Sequence, residues 1–153
     1  MGCQARSPDE TRRNDASVGA SPDRHLDSQQ VSALRVAFDA LPRDVEVEFR
    51  AFGNSPEAVA FMHQLRQSWP ERRGDGKYRV ETSPSGYPTT DGVLVCIQEK
   101  PGPASEAARA LHQAMTRSAI PTLDPRICLV DARTWGGIEK VVLFVGVRDE
   151  RAR

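Results

Sequence analysis

Two stretches of this chain combine residue types with the spacing that anion binding requires. Gly53-Asn54-Ser55 separates an alternating apolar run from Pro56-Glu57, at the start of a helix-forming segment. Free N–H groups and the helix dipole at such a start favour negative charge. Gly102 and Ser105, with Lys100 just before them, hold the matching place ahead of a second long helix-forming segment. Asp131 ends an apolar run nearby in pattern. Gly53, Asn54, Ser55, Lys100, Gly102, Ser105 and Asp131 therefore make a candidate strand-end crevice for a small phosphorylated or nucleotide ligand. Neither stretch is a GxGxxG or GxxxxGK loop, because the glycines are single and no lysine follows at the required spacing. Pro103 removes one N–H, and Glu57 or Glu106 can occupy the dipole itself, so a tight turn with a helix cap is the competing reading.

His63 and His112 are the second candidates. Each follows a predicted core residue, Met62 and Leu111, and the two are 49 apart (112 − 63 = 49). If their helices pack side by side, they meet as a pH-sensitive pair, since neighbouring like charges disfavour double protonation. HExxH, CxxC and GxSxG are all absent, so no metal, no cofactor and no nucleophile elbow is expected. Asp91 and Asp131 flank strand ends, but spacing alone does not pair them. Arg72, Arg73 and Lys77 cluster near Tyr78, and the intervening Glu71 and Asp75 neutralise much of their charge. With few aromatics available for stacking, nucleic acid is disfavoured as a partner. A small anionic ligand or a protein partner is the expectation that remains.

The elements that must position these residues follow from periodicity. Asp27 and Gln30 form an acidic relative of the capping box, and Val31, Leu34, Phe38 and Leu41 give the first helix one apolar stripe until Pro42 ends it. Val45, Val47, Phe49 and Ala51 alternate with Glu46, Glu48 and Arg50, which predicts a strand with one polar face. Ser55, Pro56 and Glu57 then start a helix whose buried face carries Ala58, Met62, Leu65 and Trp69. A short strand is expected over residues 77–82. The five apolar residues from Val93 to Ile97 read as a strand buried on both faces. A helix over residues 104–119 should face inward with Ala107, Leu111, Ala114 and Met115. Strands over 126–131 and 138–147 complete the chain.

With 153 residues and 21 basic against 21 acidic side chains, there is one domain and no global field for a polyanion. Residues 1–25 are polar and aperiodic, which predicts a disordered tail before a domain at 26–148 and a short charged tail at 149–153. No apolar stretch reaches the ~18 residues of a membrane span. Cys3, Cys96 and Cys128 are odd in number, and the latter two fall in apolar runs, which predicts reduced core thiols in a cytoplasmic protein.

A shift of 49 residues also superposes strand 45–49 on 94–98 and strand 77–82 on 126–131. A βαβ unit used twice predicts a ferredoxin-like split βαβ fold, an α/β (α+β) mixed sheet of about five strands with three helices. The first helix and the last strand are then additions, and a doubly wound parallel sheet is the alternative. Three segments, Phe52-Gly-Asn-Ser-Pro-Glu-Ala58, Gly92-Val-Leu-Val-Cys96 and Val142-Leu-Phe-Val-Gly146, resemble a soluble α/β domain of uncharacterised bacterial proteins, often C-terminal to membrane segments. The resemblance implies a fold and no activity. The expectation for function is a small binding or regulatory domain rather than an enzyme. A ligand-dependent enzyme or sensor and a protein-interaction module are the alternatives.

Overall fold

The computed structural model describes residues 23–82, 91–97, 102–127 and 139–148. Helix α1 (Ser28–Asp39) starts at Asp27, whose carboxylate accepts from Gln30 N at 2.8 Å while Gln30 Oε1 accepts from Asp27 N at 2.9 Å. The expected capping box is complete. Strand β1 (Glu46–Phe52) leads to helix α2 (Pro56–Gln67), capped by Ser55 through a 3.2 Å bond from Ala58 N. Strand β2 (Lys77–Glu81) follows a short 3₁₀ turn, Glu71–Arg73. Then come β3 (Val93–Ile97), α3 (Pro103–Arg117), the two-residue β4 (Arg126–Ile127) and β5 (Lys140–Val145).

The strands form one mixed sheet in the order β2-β1-β5-β3-β4. Strand β1 runs parallel to both β2 and β5, whereas β3 is antiparallel to β5 and parallel to β4. Two βαβ units with adjacent parallel strands thus flank β5 and point in opposite directions. This corrects the ferredoxin-like expectation, in which a strand of one unit would separate the strands of the other. It also corrects the doubly wound alternative, because the buried residues of all three helices join one core cluster on one face of the sheet. The central strand is β5, buried along its whole length, as its apolar run dictates. The expected burial of β3 holds on both faces: Val93 and Val95 meet the helices, and Leu94 and Cys96 meet Val142 and Phe144 behind the sheet.

The strand faces also adjust the internal comparison. Val47 and Phe49 face the helices, and so does Val95. The 49-residue shift superposes Val47 on Cys96, which faces the other way. Matching faces puts the first strands at a shift of 48 (95 − 47 = 48), while the pairs Phe49–Tyr78 and Ile97–Ile127 put the second strands at 49 (127 − 78 = 49), as in the helices.

Candidate functional site

The direction of β3 decides what becomes of the predicted crevice. Residues 53–55 follow the C-terminal end of β1, whereas Gly102 and Ser105 follow the C-terminal end of β3, which runs the other way. The two segments lie at opposite ends of the sheet and do not converge. Lys100 and Asp131 fall outside the described residues. Each helix start is served by the chain's own groups. At α2, Ser55 caps, and Glu57 is clasped by Arg24 through Nη2 at 2.6 Å and Nε at 2.9 Å. Gly53 donates to Glu81 O at 2.8 Å, and a Cβ there would come within 2.8 Å of Val80 Cγ1, so its missing side chain serves the close approach to β2. At α3, the Glu139 carboxylate accepts from Ala104 N at 3.2 Å and lies 3.0 Å from where a Gly102 Cβ would stand. The Ser105 amide is satisfied by Gly102 O at 3.0 Å. Both starts are capped turns.

The histidine pair is not formed either. The His63 ring lies edge-on to Tyr78 of β2 at 4.9 Å, while His112 Nε2 is 3.1 Å from Asp124 Oδ1. Helices α2 and α3 share a face of the sheet, as expected, but they orient these side chains toward different partners. Among the described residues no group of three or more His, Cys, Asp or Glu is placed to hold a metal ion. Cys96 is disulfide-bonded, which corrects the expectation of a reduced thiol and removes that argument for a reducing compartment. Cys3 and Cys128 lie outside the described residues. No helix among the described residues is long and apolar enough to cross a membrane.

Two constellations that sequence reasoning did not assemble are present. The first lies behind the sheet, where Arg50 is 2% exposed, Glu48 9% and Lys140 8%. Arg50 donates to Glu48 and, through Nη1 at 3.0 Å, to Glu81. Lys140 Nζ is 3.4 Å from Glu48 Oε2, and Lys77 pairs with Glu46. The polar face of β1 is therefore a largely buried charge network. Glu46, Glu48 and Arg50 sit at strand period 2, so the sequence puts these opposite charges on one face without showing what covers it. Three acids (Glu46, Glu48, Glu81) meet three cations (Arg50, Lys77, Lys140). The set neutralises itself and has a structural role.

The second is a recess of about 370 Å³ at the N-terminal ends of β1 and β2, closed by the end of α1 and the 3₁₀ turn. Leu41, Val45, Val47 and Trp69 supply its apolar wall. Trp69 is fixed by Phe38 and Phe49, with ring centroids at 5.4 and 6.3 Å. Four cations line the recess, Arg43, Arg72, Arg73 and Lys77, against Asp39, Glu46 and Asp75. Asp39 is taken by Arg72, and Glu46 by Lys77. The Arg72 hydrogen bond holds the Asp39 carboxyl below its ordinary value, and the Glu46 hydrogen bond raises Lys77 above its own. Arg73 has no carboxylate partner among the described residues. Its guanidinium is held by the carbonyls of Leu41 and Pro42, each at 2.8 Å, and lies 5.2 Å from the Trp69 ring centroid. The basic cluster at Arg72, Arg73 and Lys77 was visible in the sequence, but the Trp69 wall and the carbonyl clamp come only from tertiary packing.

Comparison with protein-family models, with curated proteins and with solved structures returned no match.

Proposed function

We propose that this domain is a binding or regulatory module for a small carboxylate- or phosphate-bearing molecule, seated in the recess beside Trp69. The observation that carries this reading is Arg73, a guanidinium fixed in place by main-chain carbonyls and a Trp face, with no acid paired to it among the described residues. A cation ordered before the ligand arrives gives up little entropy on binding. Arg43, exposed at the rim, adds a second charge. The volume suits a small molecule, and the apolar wall suits a short carbon skeleton. Binding is favoured over catalysis by the state of the other groups. Asp39, with its lowered pKa, is a poor proton acceptor, and Lys77, with its raised pKa, is a poor nucleophile at neutral pH. The proposed kinship with the bacterial α/β domain is one of fold and adds no activity to this reading.

The test is a thermal-shift screen of mono- and dicarboxylates and phosphate esters, followed by calorimetry. A ligand present at a hundredfold excess over its dissociation constant adds about 2.7 kcal/mol of stability. One chemical class should raise the midpoint, and Arg73→Gln should abolish that rise while Arg43→Ala reduces it. The absence of any stabilising anion, or equal stabilisation of Arg73→Gln, would sink the proposal.

A further inference from the structure

Strand β2 ends the sheet, and among the described residues its outer edge carries no hydrogen bond. Every residue from Lys77 to Val80 is exposed, and Glu81 is half-buried. Of the three large hydrophobic side chains exposed on the described surface, two are on this strand: Tyr78 at 48% and Val80 at 38%. An open edge with apolar side chains is a template for another strand.

We infer that this edge pairs with the same edge of a second copy of the chain, antiparallel and centred on Val80. The occupant follows from charge. A twofold axis perpendicular to the sheet brings identical strands together with their faces preserved. With Val80 opposite Val80, Arg79 meets Glu81 twice and Tyr78 meets Thr82 twice. The neighbouring face-preserving registers fail. One sets Arg79 against Arg79, and the Lys77–Glu81 pairs it would add draw on a lysine already held by Glu46. The other sets Glu81 against Glu81; directly opposed like charges destabilise a ladder. Charged residues on an edge ordinarily prevent pairing. Here one register converts them into two complementary pairs.

The individual groups are ready for it. The Arg79 side chain is exposed and makes no hydrogen bond or ion pair among the described residues. Glu81 uses Oε1 on Arg50 at 3.0 Å, which leaves Oε2 for the partner's Arg79. On the helix side, Tyr78 is flanked by His63 and by Arg66, whose guanidinium lies 4.4 Å from its ring centroid. The Tyr78 ring is therefore held in position beside the edge, where a second copy would cover it. The product is one sheet continuous through two chains.

Sedimentation equilibrium of the full chain, up to roughly 1 mM, tests this. The wild type should form a reversible dimer. Arg79→Glu replaces two attractive pairs by two repulsive ones and should weaken the dimer by at least about tenfold. Arg109→Glu is the control: Arg109 is exposed on α3, which packs over β3 and β5 and away from β2, so the dimer should persist. Circular dichroism confirms that both variants fold, and Val80→Lys serves as a second disrupting variant. A monomeric wild type, an undiminished Arg79→Glu dimer, or equal disruption by Arg109→Glu would each overturn the inference. Because no residue of the Tyr78–Thr82 ladder lines the recess, a dimer without anion binding refutes only the ligand reading.

Discussion

Replacing Arg24 by alanine should cost this domain about 2–3 kcal/mol at neutral pH, less than the full cost of breaking a buried ion pair. Arg24 lies within the segment expected from composition to be a free tail, yet its side chain is 9% exposed and that of Glu57 is 17%. The guanidinium reaches Glu57 at 2.6 Å, Gly146 O at 2.8 Å and Asp91 O at 3.0 Å, and it lies 5.1 Å from the Phe61 ring centroid. It therefore ties the chain before α1 to the start of α2, to the end of β5 and to the start of β3. Breaking a fully buried pair by removing one partner costs about 3–5 kcal/mol. The smaller loss expected for Arg24 reflects residual solvent and the Arg24 amide, which still donates to Glu57 after the change. For a domain of this size the midpoint should fall by roughly 8–12 °C. The effect has a pH signature. Burial opposes ionisation of Glu57, but the hydrogen bonds and charge of Arg24, helped by Arg148, outweigh it and hold the carboxyl below its ordinary value of 4.5. A depressed carboxyl stabilises the fold fully above that value and loses its contribution as pH falls through the folded pKa. Urea unfolding at a series of pH values should show the wild type and Arg24→Ala well separated at pH 7 and converging on acidification. A loss below about 0.5 kcal/mol would mean the pair behaves as a solvated surface contact. A gap that does not shrink in acid would show that Glu57 is not its source.

Leu94→Asp should abolish cooperative unfolding or remove several kcal/mol, since it sets a carboxylate among Cys96, Val142 and Phe144 behind the sheet; a soluble, cooperatively folding variant in chemical denaturation would contradict the burial of β3. Arg50→Met should cost about 3 kcal/mol, because Glu81 loses its partner and Glu48 keeps only Lys140. Adding Glu81→Gln should restore part of that loss in the same denaturation assay, and a double variant no better than the single one would refute the pairing.

What was legible in the sequence is what local periodicity and chain punctuation control. Asp27 and Gln30 announce their capping box, Ser55-Pro56 announces α2, and the run from Val93 to Ile97 announces a buried strand, because each signal is contained within a few residues. Strand direction is not contained there. An apolar run looks the same whether it lies parallel or antiparallel to its neighbour, so two βαβ units could be recognised without knowing that they oppose each other. The burial of Arg50 and Glu48 was hidden for a related reason. Alternation distinguishes two faces of a strand, but whether the polar one meets water or another charge depends on residues 31 and 92 positions away, in the Arg50–Glu81 and Glu48–Lys140 pairs. Arg24 gave no local signal at all. Its partner is 33 residues distant, in helix α2.

Opposed βαβ units also explain why the proposed binding site falls where it does. In a parallel α/β sheet the C-terminal ends of all strands lie on one side, and helix starts converge there into a ligand crevice. Strand β3 runs against β5 in this fold, so the starts of α2 and α3 are separated by the length of the sheet. Each end receives one helix start, too few to enclose a ligand, and each start is closed by a serine or a carboxylate of the chain itself. The ends of the sheet are then free to be shaped by other connections. At the N-terminal ends of β1 and β2 those connections are the exit from α1 and the 3₁₀ turn after α2. Together they bring Leu41, Trp69 and Arg73 around one recess. A cation clamped by carbonyls at that place is a consequence of the topology, and an anion that binds there would use side-chain charge in place of the helix dipole.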